Sequence, residues 1–119
     1  MFFNQTVSVF SVTKDDIGIK EYTLMDTIDK FSREYSIPKE WLINLANCES
    51  SFGKRIVGDG GLARGVYQYH LGTWLWFEKL SGMDLDRESY FDQSKMTSWA
   101  LQNNLGGHWS CDYKTGKVR

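Results

Sequence analysis

The chain has 119 residues, 41% of them hydrophobic and 15% aromatic, with a formal net charge of −1. That length and apolar content suit one domain with its own core. The near-neutral balance, with both signs scattered, argues against nucleic-acid binding, which needs a basic face, and no apolar run approaches the length of a membrane span.

Residues 1–20 are expected to form an N-terminal arm or short strand, on the strength of Val7, Val9, Phe10 and Val12. The stretch Met1–Val12 carries no basic leader, the first lysine being Lys14, so it does not read as a secretory signal. The domain proper is expected over 21–119. Thr23 followed by Asp26 resembles a capping box with Asp in place of Glu. Leu24, Ile28, Phe31 and Tyr35 then recur at helical spacing, and this helix should end near Ser36.

Pro38 fits the first turn of a second helix, with Trp41, Leu42 and Leu45 as its apolar stripe. Glu49 lies seven residues after Leu42 and four after Leu45, on the same face at the C-terminal end. Gly53, Gly58, Gly60, Gly61, Gly65 and Gly72 mark turns in the stretch that follows. Within it, Val66–Tyr69 is expected to form a short strand. Thr73 can cap a third helix over Trp74–Ser81, stopped by Gly82. Asp92 can cap a fourth, with Phe91 and Met96 placed as a hydrophobic staple and Gly106 with Gly107 at its end. The fold class expected is α+β, mainly α, with a glycine-rich β wing beside the second helix. Trp41 and Trp99 read as core.

Cys48 and Cys111 leave two readings open. A disulfide would close a long loop, worth roughly 4 kcal/mol in a chain-entropy model; the alternative is two buried free thiols. His70 and His108 stand too far from any ligand set to suggest a metal. No phosphate-binding loop, nucleotide fingerprint or Ser-His-Asp pattern is present, so no cofactor is expected.

Glu49 carries the chemical interest. Glycoside hydrolysis needs a proton delivered to a poor leaving oxygen, and burial keeps a carboxyl protonated by disfavouring its charged form. A glutamate at the end of an apolar helix face is placed for that effect. The run Cys48-Glu49-Ser50-Ser51-Phe52, followed by Gly65-Val66-Tyr67-Gln68-Tyr69 and Gly72-Thr73-Trp74, resembles the lysozyme-like superfamily, which includes soluble lytic transglycosylases and goose-type and chicken-type lysozymes. The resemblance covers about Ile37–Trp76 and, more loosely, Asp92–Cys111. It is closest to the goose-type pattern, through Gly58-Asp59-Gly60-Gly61.

The resemblance implies a lysozyme-like fold and cleavage of peptidoglycan glycan strands. Glu49 would be the general acid, and Asp59 would help hold the attacking water. Ser50, Gly65, Tyr67, Gln68, Tyr69, His70 and Trp74 would line the sugar site, with Trp76 an alternative to Trp74 for ring stacking. His70 stands where a goose-type enzyme tends to carry an acid. The second carboxylate of the chicken-type pattern is missing, its position being Ala63. Trp109 and Cys111 resemble a closing Trp-X-Cys, in which that cysteine pairs with the one beside the catalytic glutamate. Tyr90 is a further candidate neighbour of the acid.

The leading expectation is a monomeric muramidase acting on the cell wall, extracellular or periplasmic, without nucleic-acid or membrane partners. Its rivals are a lytic transglycosylase using Glu49 alone, a non-catalytic glycan-binding or structural module with a lysozyme fold, and a protein–protein adaptor.

Overall fold

The computed structural model describes residues 22–119. The expected arm over 1–20 lies outside them. Among the described residues, four α-helices and two small antiparallel β-pairs make an α+β, mainly helical architecture.

Helix α1 spans Leu24–Glu34. Thr23 Oγ1 accepts from the Asp26 amide at 3.1 Å while Asp26 Oδ2 accepts from the Thr23 amide at 3.4 Å, so both halves of the capping box form. Its inner face buries Ile28 and Phe31. Helix α2, Lys39–Ser50, starts after Pro38, which stands at the N-cap with an extended ψ rather than inside the first turn. Leu42 and Leu45 of the stripe read from the sequence are buried, with Ala46 beside them, and Trp41 is partly buried. Ser51 and Phe52 then take positive φ, 52° and 58°, which ends the helix and turns the chain towards the wing.

In the wing, β1 (Val57–Gly58) pairs with β2 (Ala63–Arg64) through Val57↔Arg64 and Gly58↔Ala63. A 3-10 turn, Asp59–Gly61, joins them. The expected strand over Val66–Tyr69 does not form. Gly65 and Gln68 adopt φ of +85° and +54°, and Arg64 and Tyr69 exchange backbone hydrogen bonds at 3.1 and 2.9 Å. Residues 65–68 are therefore a tight loop, and Tyr69 makes only a single bridge to Arg64. The apolar residues meant for a strand face are buried by this loop instead.

Helix α3 spans Leu71–Ser81 and ends on Gly82 at φ +74°. It begins ahead of the expected Thr73 cap. His70 is the N-cap and makes no side-chain cap bond, so the start is set by backbone geometry and packing. Helix α4 spans Tyr90–Gln102, and Ser89, not Asp92, is its cap: Ser89 Oγ accepts from the Asp92 amide at 3.1 Å. The Asp92 carboxylate instead accepts from the Asp86 amide at 2.8 Å. This shift removes the Phe91–Met96 staple register, and the Phe91 ring packs on Phe31 at 4.9 Å. Helix α4 also ends before the glycines, with Asn104 in the left-handed region at φ 62° and Gly106–His108 in a 3-10 turn. The chain closes with β3 (Cys111–Asp112) paired to β4 (Lys117–Val118).

Helix α1 packs on α2 and α4, and β3 lies against α2. Ile28, Leu42, Leu45, Tyr67, Tyr69, Phe77, Met96 and Ala100 centre the core, with Trp41 and Trp99 partly buried against it. Among the described residues no helix is long and apolar enough to cross a membrane.

Candidate functional site

Glu49 is the penultimate residue of α2 and is half-buried. Burial is the main cause that raises its pKa above the ordinary glutamate value; the nearby Asp59 charge adds to this, and a hydrogen bond from the Cys111 backbone pulls the other way. The neighbouring Cys48 forms a disulfide with Cys111 across 63 residues, which decides the question that spacing left open. It ties β3 to the end of α2 and brings the Cys111 backbone to the glutamate. The Glu49 carboxylate and the two sulfurs lie within 4.8 Å of one another. Both thiolates are consumed in the bridge, so this cluster offers a metal no charged sulfur ligand.

Facing Glu49 electrostatically is Asp59, at the tip of the wing with φ +50°. Its Oδ2 lies 2.8 Å from His70 Nε2, and both side chains are largely exposed. The wing's shape brings them together. The β1–β2 pair places Asp59 at one end, and the Arg64–Tyr69 closure returns the chain to His70 beside it.

Gln68 folds back across the wing. Its Nε2 donates to the Gly65 carbonyl at 2.9 Å, and its Oε1 occupies the space a side chain on Gly58 would need, 2.2 Å from an added Cβ. Gly65 and Gln68 thus shape the loop, with Gln68 part-exposed.

Ser50, Tyr67, Tyr69 and Trp74 have buried side chains, out of reach of a sugar in this conformation. Ser50 Oγ accepts from the Gly53 amide at 2.8 Å and so closes α2. The Tyr67 hydroxyl meets Ser94 Oγ at 3.1 Å, and the Tyr69 hydroxyl meets Thr97 Oγ1 at 2.8 Å. Burial raises the pKa of both phenols, which keeps them neutral. Trp74 packs edge-on to Tyr69 at 4.8 Å. Trp76 is the exposed one of the two tryptophans and lies against His108. Ala63 is buried. The Tyr90 hydroxyl donates to the Tyr22 carbonyl, at the start of the described chain. Trp109 Nε1 donates to the Tyr67 carbonyl at 2.9 Å, a structural role.

Gln93 on α4 was missed from the sequence. It is fully buried, accepts from the Tyr67 amide at 3.0 Å and donates to the Arg64 carbonyl at 2.9 Å. It clamps the loop that carries Gln68 and His70. The available signal was the polar run Gln93, Ser94, Thr97 and Ser98 along one helix, more polar than a core face should be unless it has partners.

A separate concavity on α1 is lined by Tyr22, Asp26, Asp29, Lys30, Arg33 and Glu34 and shares no residue with this site. No family model, curated protein or solved structure matches the chain.

Proposed function

We propose that this chain cleaves the β-1,4 bond between N-acetylmuramic acid and N-acetylglucosamine in peptidoglycan, with Glu49 as general acid and Asp59 assisting a water. The observation that carries this reading is the half-buried Glu49 carboxyl, held beside the Cys48–Cys111 bridge, with its pKa raised by burial and by Asp59. Such a carboxyl keeps its proton nearer neutrality, as a general acid must. The motif resemblance around Glu49 and Gly65–Tyr69 supports the same reading, and with it a lysozyme-like fold and action at the cell wall.

In the proposed reaction Glu49 gives its proton to the glycosidic oxygen as the bond to the anomeric carbon breaks. Water adds to that carbon and loses a proton to Asp59. One water is consumed, and the carboxyls exchange their proton through solvent. Asp59 working through water, rather than as a nucleophile, leads to inversion.

A second reading is a lytic transglycosylase that uses Glu49 alone, the sugar's own hydroxyl closing onto the anomeric carbon. The exposure of the Asp59 carboxylate favours it, since an aspartate before Gly60-Gly61 also serves as a turn residue.

Mass spectrometry of peptidoglycan digested by the wild type and by Glu49→Gln separates these readings. Reducing-end muramic products, lost in the variant, support hydrolysis. Anhydro-muramic products support the transglycosylase. Absence of product from both proteins overturns the enzyme readings and leaves a glycan-binding module.

A further inference from the structure

We propose that His70 is a positioning residue that holds the Asp59 carboxylate in one orientation, tying one oxygen and leaving the other open. The use of this orientation, to receive a proton from water, rests on the hydrolytic reading above.

The two partners differ in how firmly the fold holds them. Asp59 sits on a turn flanked by Gly58, Gly60 and Gly61, with a backbone at φ +50° whose carbonyl accepts from the Leu62 amide at 3.2 Å. His70 stands on a stiffer base. Its carbonyl accepts from the Trp74 amide at 3.0 Å as the N-cap of α3, and the preceding Tyr69 is buried and bridged to Arg64. The imidazole therefore fixes the carboxylate rather than the reverse.

The neighbouring charges leave this task to the imidazole. Arg64 Nε donates to the Gly61 carbonyl at 2.8 Å, and its guanidinium lies 3.8 Å from Glu88. Arg87 donates to the Tyr69 carbonyl at 3.0 Å. Neither guanidinium bonds Asp59. Glu49 is the other charged group acting across the gap, and it repels. Among the described residues, the Asp59 carboxylate takes its hydrogen bond from His70 through Oδ2, and Oδ1 accepts none. A carboxylate with one oxygen tied presents the other in a defined direction, which is what a water-orienting base needs.

The test has two arms. The first does not depend on turnover. The chain has two histidines, so long-range proton–nitrogen spectra resolve each ring, and a His70→Gln variant assigns them. Asp59→Ala should move the His70 ring signals and leave those of His108 in place; unmoved His70 signals overturn the pairing.

The second arm is kinetic. His70→Ala should lower kcat for reducing-end products about tenfold with KM nearly unchanged. His70→Gln, whose amide can still donate to Asp59, should recover most of the loss. In an Asp59→Asn background His70→Ala should have no further effect. An equal loss in both backgrounds overturns the proposal in favour of a general structural role. A raised KM with unchanged kcat overturns it in favour of direct sugar contact. Coupled ring signals in a protein that yields no reducing-end product uphold the positioning and sink the hydrolytic reading alone.

Discussion

Gly65 and Gln93 compete for one volume: a Cβ on Gly65 would stand 2.1 Å from Gln93 Nε2. The glutamine is fully buried and spends its amide on backbone groups, the Tyr67 amide and Arg64 carbonyl of the wing and the Arg87 carbonyl just ahead of α4. Glycine is needed at position 65 twice over, for that close approach and for φ +85°. Helix α4 thereby fixes the wing that carries Asp59 and His70.

Gln93→Leu fills similar volume but strands the Tyr67 amide and the Arg87 carbonyl, while the Arg64 carbonyl keeps its bond from the Tyr69 amide. A buried unpaired polar group costs about 1–3 kcal/mol, and partial rehydration relieves some of it. The expected loss is about 3 kcal/mol in urea unfolding. Gly65→Ala should cost at least as much, because the collision and the backbone strain add. A neutral Gln93→Leu would mean that the wing is held by other contacts.

Glu49→Gln should separate stability from activity. The carboxyl's folded pKa lies above its unfolded value, chiefly through burial. Between those two values the folded state holds a proton the unfolded state has released, so stability falls as pH rises through that window. The cost is absent below the unfolded value and fully present above the folded one. Glu49→Gln removes it. The variant should match the wild type at about pH 3 and be the more stable protein at about pH 8, while its turnover drops at least a hundredfold. Asp92, also raised mainly by burial, has the same sign in both proteins and cancels from the difference. Wild-type activity should decline as pH rises through the folded Glu49 value, because the acid must carry its proton. Thermal unfolding at the two pH values and a pH–rate profile check both statements.

What is legible in the sequence follows from how local each physical cause is. The Thr23–Asp26 box is a contact over three residues, and the α2 stripe is a period, so both were readable. Helices α3 and α4 are legible in the sequence, but both start earlier than the Thr73 and Asp92 caps predict. His70 caps α3 with backbone alone, and Ser89 took the cap from Asp92, whose carboxylate was drawn to the Asp86 amide. Val66–Tyr69 alternates like a strand, yet a clamp from a helix over twenty residues later bends it into a loop. Glu49 and Asp59 were legible as motif residues. The Asp59–His70 pair was not, because it exists only once the Arg64–Tyr69 closure folds the chain back.

The disulfide should matter to both fold and site. Closing a loop of this length is worth roughly 4 kcal/mol in the chain-entropy model. Cys111→Ala should therefore lower stability by about 2–4 kcal/mol in denaturant unfolding. The bridge also keeps the Cys111 backbone hydrogen bond on Glu49, which holds that carboxyl's pKa down. Loosening β3 weakens the bond, so the alkaline limb of the pH–rate profile should move to higher pH in Cys111→Ala. An unmoved limb, with stability lost, would confine the bridge to a structural role.

Trp74 and Trp76 supply a contrast within one helix. Trp74 is 2% exposed and packs edge-on to Tyr69, whereas Trp76 is 43% exposed and rests on His108 and Phe77. Truncating a buried aromatic removes its transfer energy and leaves a cavity, so Trp74→Ala should cost about 3–5 kcal/mol. Trp76→Ala gives up only part of its contact area and should cost about 1 kcal/mol or less. Side-by-side urea unfolding curves check the ranking. With the fold of Trp76→Ala intact, chitin-oligomer titrations of the two proteins become interpretable: weaker binding in Trp76→Ala would assign a sugar contact to the exposed ring, and unchanged binding would remove both tryptophans from the glycan site.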